Sequence, residues 1–128
     1  MTRARQVMVL GAHPDSSRFS NKALLRLARN GFDPIPIHPR FKEILGRRCY
    51  PSISAWRAEH SSTEVDTLSF YLNATHSTAI QDEILALRPR RAIFNPGAEN
   101  PALARALKSE GVEVLDACTL VLLDTGKF

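Results

Sequence analysis

The chain has 128 residues, of which 44% are hydrophobic and 23% are charged, and these values predict a single globular domain over residues 1–128. It has no apolar run near the roughly 20 residues that span a bilayer and no signal-peptide pattern, so we expect a cytoplasmic protein without membrane contact. The net charge of +4 is modest and the arginines are scattered, which fits a phosphorylated small ligand and argues against nucleic acid.

The first predicted elements are a strand, a glycine turn and a helix, within the stretch VMVLGAHPDSSRFSN at 7–21. The apolar run at 7–10 stops at Gly11, as a buried strand does. Ser20 is the predicted N-cap of an amphipathic helix that ends at 30–31. Because such a turn presents backbone N–H groups to an anion, the loop is predicted to form half of a site for a nucleotide-type ligand.

Four further strands are predicted in chain order, at 32–37, 66–72, 91–95 and 112–115. Pro34 and Pro36 remove two donors from the second strand, so we expect it to lie near an edge or to pair fully on only one side.

The other segments contain helix signals of different strength. A short helix is predicted around 55–60, and a longer one follows the third strand and ends at 88–89. Asn100 caps a helix that has Pro101 in its first turn. The apolar stretch at 120–123 is compatible with either a helix or a strand.

Apolar strands that alternate with helices predict the α/β class, with helices on both faces of a parallel sheet. Right-handed crossovers then favour a Rossmann-like, doubly wound sheet of about five strands in the order 3-2-1-4-5. Ligands of such sheets bind outside the carboxyl ends of the strands, where the topology reverses. The segments 11–21, 38–42, 72–77 and 95–100 are predicted to meet there.

The polar residues at these ends bear on the identity of the ligand. An NAD domain has G-x-G-x-x-G after its first strand and an acidic residue after its second, and this chain has neither. His38, Arg40 and Lys42 follow the second strand instead, and cations at this place favour a ribose that carries an extra phosphate. NADP and coenzyme A (CoA) both have one, but the missing glycine turn argues against NADP.

The chain resembles the small CoA-binding domain proteins, which are Rossmann-like and similar to the N-terminal domain of the succinyl-CoA synthetase alpha subunit. The resemblance covers most of the chain, from about Gln6 onward, and depends on the order and spacing of short segments at 11–12, 18–22, 39–42, 45–46, 49–51, 94–101 and 113–119. Many members of the family have serine in place of His13 and asparagine in place of His38. These departures could change the affinity for CoA or mark a paralogue that does not bind it.

The resemblance implies CoA or an acyl-CoA as the ligand and assigns parts of it to particular residues. The phosphates of CoA would contact Gly11, Ala12, His13, Arg18, Ser20 and Asn21. The adenosine 3′-phosphate would lie near His38, Pro39 and Lys42. Leu72 and Asn73 would lie beside the adenine or diphosphate, and Asn95, Pro96 and Gly97 beside the pantetheine arm.

Residues that could carry chemistry are few, and each has a structural interpretation that we favour. His13 and His76 are better explained as loop and capping residues than as acids or bases, and Cys49 and Cys118 predict neither a disulfide nor a metal site. The sequence therefore favours a protein that binds CoA without catalysis. An NADP-binding oxidoreductase-like domain and a redox-sensing regulator are the alternatives, and a bacterial source and a homodimer fit the resemblance.

Overall fold

The structure is a computed structural model that describes residues 4–128. Residues 1–3, which belong to the predicted domain and its basic N-terminus, lie outside the described residues. The strands are β1 (Gln6–Leu10), β2 (Asp33–Ile37), β3 (Glu43–Ile44), β4 (Arg47–Arg48), β5 (Thr67–Phe70), β6 (Arg91–Phe94) and β7 (Glu113–Asp116). The helices are α1 (Phe19–Arg29), α2 (Ile53–Glu59), α3 (Ala74–Ala79), α4 (Gln81–Leu87), α5 (Pro101–Ser109) and α6 (Thr119–Asp124).

Five parallel strands form one sheet in the order β2-β1-β5-β6-β7, and helices cover both of its faces. Alternate residues of β1 point to opposite faces. Val7 and Val9 belong to the apolar cluster that includes α1 and α6, whereas Met8 and Leu10 belong to the cluster that includes α2, α4 and α5. The predicted class, a doubly wound and Rossmann-like α/β sheet of five strands, is confirmed.

The order of the strands differs from the predicted 3-2-1-4-5 at one place. Counted in chain order, the strands of the sheet run 2-1-3-4-5, because β5 pairs with β1 and does not lie outside β2. The N–H of Asp33 donates to Arg5 on the β1 side, and the carbonyl of Pro36 accepts from Tyr50 on the other side. Positions 34 and 36 therefore face away from β1, and a further strand there would find two prolines without donors. The prediction that this strand lies near an edge is confirmed, since β2 is one of the two edge strands of the five-stranded sheet.

Three local features differ from the predicted ones: the N-cap of α1, the loop after β2 and the helix after the third strand of the sheet. The N-cap of α1 is Arg18, so the prediction of Ser20 is wrong, and Ser20 is buried in the first turn. The loop after β2 contains the small hairpin of β3 and β4. The long helix predicted after the third strand is two helices, α3 and α4, separated at Ile80.

Several other local predictions are confirmed. The short helix predicted around 55–60 is α2, which begins slightly earlier at its N-cap Ser52. The Asn100 side chain caps α5 by accepting the N–H of Leu103, with Pro101 as the first helical residue. The apolar stretch at 120–123, for which the sequence left helix and strand open, is helical and lies within α6.

Within residues 4–128 no helix has the length and apolar character needed to cross a membrane.

Candidate functional site

A crevice of about 570 Å³ lies at the carboxyl ends of β1, β2 and β5, and its walls include parts of α3 and α4. This is where the topology reverses, because the chain leaves β1 toward β2 on one side and returns to β5 on the other. Open α/β sheets bind ligands at such a point. Seven of the predicted site residues line the crevice: Gly11, His13, Arg18, His38, Pro39, Leu72 and Asn73.

A larger cavity of about 910 Å³ lies at the other end of the strands, near the starts of β1, β5 and β6. It borders Ala4, which is next to the residues that are not described. Two of its four guanidinium groups already have hydrogen-bond partners within the protein. Arg57 donates to the carbonyls of His60 and Thr63, and Arg90 pairs with Asp66. We therefore place the candidate site at the carboxyl edge, where the sheet topology and the predicted residues coincide.

Gly11 brings the end of β1 close to the end of β5. Its φ angle is +85°, and a Cβ atom added to it would lie 2.6 Å from the carbonyl oxygen of Tyr71. The N–H groups of Gly11 and Ala12 both donate to the carbonyl of Ile37, at 3.1 and 3.2 Å. These two N–H groups bond the end of β2 and are not free to bind a phosphate. The role of Gly11 is therefore to let the backbone adopt the conformation of this loop.

The rest of this loop is held by its own polar groups. The Asp15 carboxylate accepts the N–H and the hydroxyl of Ser17, at 2.9 and 2.7 Å, and these bonds lower the pKa of Asp15. The Asn21 side chain donates to the carbonyl of His13 at 2.9 Å. The N–H groups of Phe19 and Ser20 have no acceptor among the described residues, so the first turn of α1 retains two donors for an anion.

Three rings connect the loops after β1 and β2, and we call them the His13–Phe41–His38 cluster. The Phe41 ring centroid lies 5.0 Å from that of His13 and 4.4 Å from that of His38, and the two imidazole centroids are 6.1 Å apart. Each histidine Nδ1 accepts a backbone N–H two residues along the chain, from Asp15 at 3.1 Å and from Arg40 at 3.0 Å. Partial burial, and then the charges of Arg40 and His13, lower the pKa of His38.

The other predicted site residues do not line the crevice. They are Ala12, Ser20, Asn21, Lys42, Asn95, Pro96 and Gly97. The Asn95 amide is bonded inside the protein, to Ser69, the carbonyl of Phe70 and the N–H of Thr119.

The crevice also contains residues that were not assigned a ligand contact, although Arg40 lies in the basic segment 38–42 that was predicted to reach the site. Arg40 lines its mouth, where Lys42 was predicted, and Ile53 and Ile80 add apolar surface from α2 and the α3–α4 junction. Glu83 is its acidic group and accepts the N–H and the hydroxyl of Ser54, at 2.9 and 2.6 Å. Arg40 is three residues before a hairpin that the sequence did not reveal, and Ile53, Ile80 and Glu83 reach the crevice only through tertiary packing.

His76 and Cys118, which were considered for chemistry, have structural surroundings, and Tyr71 is a further titratable group that lines the crevice. The His76 ring lies 2.8 Å from the side-chain oxygen of Asn73, which also caps α3 by accepting the N–H of His76. Cys118 is half-buried just before α6 and does not line the crevice. The Tyr71 hydroxyl is buried and burial raises the pKa of Tyr71 to about 12, so this phenol stays neutral at physiological pH.

Comparisons with known proteins find a matching family and similar structures. Residues 5–124 match the family described as CoA binding domain. The chain is similar to an uncharacterised protein of known crystal structure, with 34% identity over 99% of this chain and 100% of the other and a TM-score of 0.87. It is also similar to a Thermus thermophilus protein, with 30% identity over 98% of this chain and 91% of the other and a TM-score of 0.84.

A more distant similarity concerns the fold alone. The chain shares 24% identity and a TM-score of 0.67 with part of a dinucleotide-forming acetyl-coenzyme A synthetase from Ca. Korarchaeum cryptofilum, determined with phosphate and ADP. This match covers 88% of this chain and 25% of the synthetase. None of the curated proteins matches the chain.

Proposed function

The chain belongs to the CoA binding domain family, and from this premise we propose that it binds coenzyme A or an acyl-CoA in the crevice, without catalysing a reaction. The observation that carries the proposal is the distribution of charge around a site at the topological reversal of the sheet. Arg18 and His13 follow β1, Arg40 and His38 follow β2, and all four line the crevice. This arrangement fits a ligand that carries both a diphosphate and a ribose phosphate.

The two ends of the crevice suit different parts of such a ligand. The first turn of α1, with two N–H donors and Arg18, is the proposed contact for the diphosphate. Ile53, Leu72 and Ile80 form an apolar wall that suits the flat face of an adenine. A cytoplasmic location, a bacterial source, a homodimer and a single domain over residues 1–128 stay predictions.

Ligand binding is the direct test of the proposal. CoA at about one hundred times its dissociation constant is expected to add about 2.7 kcal/mol to the free energy of unfolding. Thermal unfolding with CoA, acetyl-CoA, dephospho-CoA, NADP and NAD in parallel compares the ligand classes. A shift with NADP and none with CoA would replace this proposal with the oxidoreductase-like alternative.

Arg40 and Lys42 provide a matched pair of exposed cations two residues apart, of which only Arg40 lines the crevice. We expect Arg40→Ala to weaken CoA binding about tenfold and dephospho-CoA binding less, because the guanidinium would contact the 3′-phosphate. Lys42→Ala is expected to change both affinities by less than about twofold, because a solvated cation outside the site contributes little. Isothermal titration calorimetry measures both.

Two outcomes would contradict this assignment. Equal losses for CoA and dephospho-CoA in Arg40→Ala would separate Arg40 from the 3′-phosphate. A larger loss in Lys42→Ala than in Arg40→Ala would move the phosphate out of the crevice, toward the position that the family resemblance implies.

A further inference from the structure

We propose that the His13–Phe41–His38 cluster takes up protons when a diphosphate ligand binds, so that affinity rises as pH falls from about 8 to about 6. This inference rests on the proposed function, because it takes the ligand to be a CoA-type diphosphate in the crevice. It goes further in assigning a role to two histidines that the ring contacts with Phe41 hold together at the crevice.

The hydrogen bonds of the cluster set where a proton can enter. Each Nδ1 accepts a backbone N–H, His13 from Asp15 and His38 from Arg40. A neutral imidazole that accepts at Nδ1 carries its hydrogen on Nε2. A second proton must therefore enter at Nδ1 and break the bond that shapes the loop. In the free protein, the two histidine nitrogens occupy the N–H groups that an anion could otherwise contact.

The positive charges around His38 oppose its protonation in the free protein. The other histidine is 6.1 Å away, between ring centroids, and Arg18 and Arg40 lie at the same crevice mouth. Burial, and then the charges of Arg40 and His13, hold the pKa of His38 below its ordinary value.

Two carboxylates lie near the cluster. Asp15 is bonded to Ser17 and is the anionic neighbour of His13, whose charge contributes to lowering the pKa of Asp15. Glu83, across the crevice on α4, is bonded to Ser54, and neither carboxylate contributes to the shift in the pKa of His38. The Cys49 thiol lies 3.8 Å from the carbonyl of His38, and burial raises the pKa of that thiol, which keeps it neutral. His76 on α3 is the third histidine at the crevice.

A bound diphosphate reverses this balance. A negative charge within about 4–6 Å raises the pKa of a histidine by about one or more. The histidine then takes up a proton at pH values between its pKa in the free protein and its higher pKa in the complex. Affinity rises as pH falls through that interval and levels off below it, and a difference of one in pKa corresponds to about tenfold in affinity. The N–H groups of Asp15 and Arg40, once released, add two donors for the ligand.

Dephospho-CoA is the appropriate probe, because it lacks the phosphate monoester whose own ionisation falls near pH 6. Calorimetry at about pH 6.5, in two buffers of different ionisation enthalpy, measures the protons exchanged on binding. We expect uptake of about half a proton or more, and about tenfold tighter binding at pH 6 than at pH 8. The variants are His13→Asn with His38→Asn, since an asparagine oxygen can accept the N–H two residues on without titrating.

The double variant is expected to bind dephospho-CoA with the same affinity at both pH values. His60→Gln is the matched control, because His60 lies against Trp56 and outside the crevice, and it is expected to keep the proton uptake. Binding without proton exchange in the natural chain would overturn this inference and leave the proposed function intact. Uptake that persists in the double variant and disappears in His76→Gln would assign the proton to His76 and also overturn it. Absence of binding at every pH would overturn the proposed function itself.

Discussion

Replacement of Gly11 by alanine is expected to lower the free energy of unfolding by about 3 kcal/mol or more. Two costs add at this position. The φ angle of +85° is one that a residue with a Cβ atom rarely adopts. The new Cβ would also lie 2.6 Å from the Tyr71 oxygen, which is backbone and can retreat only if β1 and β5 separate. Chemical denaturation in urea measures the loss.

Gly31 is the matched control for this substitution. It has the same φ of +85°, and a Cβ atom there would meet no described atom within 4 Å. Gly31→Ala is therefore expected to cost about 1 kcal/mol, which is the conformational cost alone. The difference between the two variants isolates the close approach of β1 and β5. Equal losses would show that the backbone relaxes at little cost.

The Gly11 result also decides how loss of binding in that variant is interpreted. Glycine after the first strand of such a sheet is usually discussed as the residue that lets backbone approach a phosphate. Here the atom that a side chain would meet belongs to Tyr71. A variant that loses CoA affinity only in proportion to its unfolded fraction would place Gly11 in the fold and not in the ligand contact.

The class of fold could be predicted because it depends on local patterns. The apolar run at 7–10 and the stop at Gly11 need only one buried strand and one turn. The order of the sheet depends on which side of β2 is available, and Pro34 and Pro36 already contain that information. The two prolines identify the unpaired side of β2 only once the pairing of Asp33 with β1 shows that the backbone groups of both prolines face outward.

The start of α1 was predicted incorrectly from the capping preference of single residues, and the structure shows the physical reason. Ser20 is a better N-cap than Arg18 by residue type. The turn made by Asp15 and Ser17 brings the chain into the helical conformation earlier, so that the N–H groups of Asn21 and Lys22 both bond the carbonyl of Arg18. A turn stabilised by neighbouring side chains outweighs the preference of a single capping residue.

The part of the candidate site that could be predicted is the part near strand ends. His13, His38 and Asn73 follow β1, β2 and β5 within a few residues, so the topology alone brings them to one edge. Ile53 and Glu83 come to the crevice through the packing of α2 against α4, which no local pattern specifies.

Replacement of Asn95 by leucine is expected to lower the free energy of unfolding by about 3 kcal/mol. The Asn95 side chain is buried, with 3% of its surface exposed. Its amide donates to the Ser69 hydroxyl at 3.0 Å and to the carbonyl of Phe70 at 2.8 Å, and its oxygen accepts the N–H of Thr119 at 2.8 Å. Leucine fills a similar volume but leaves the Thr119 N–H, at the start of α6, buried without an acceptor.

Asn30→Ala provides the control, because the Asn30 side chain is exposed and makes one bond to the carbonyl of Arg26. Its expected cost is below about 1 kcal/mol, since water can replace that bond. A double-mutant cycle of Asn95→Leu with Ser69→Ala is expected to give a coupling of about 1 kcal/mol, because the two side chains share a hydrogen bond.

The Asn95→Leu variant also distinguishes the two roles considered for Asn95. The family resemblance places this residue beside the pantetheine arm, whereas its three internal bonds make it a link between β5, β6 and α6. A structural link predicts a large loss of stability and an unchanged dissociation constant for CoA in the folded fraction. A ligand contact predicts the reverse, that is, a stability loss below about 1 kcal/mol with a clear loss of affinity. Urea denaturation measures the loss of stability and calorimetric titration measures the affinity, so the two methods applied to one protein preparation separate these outcomes. We expect the structural result, because the Cys118 side chain does not cap α6 and the first N–H of that helix depends on Asn95 for its acceptor.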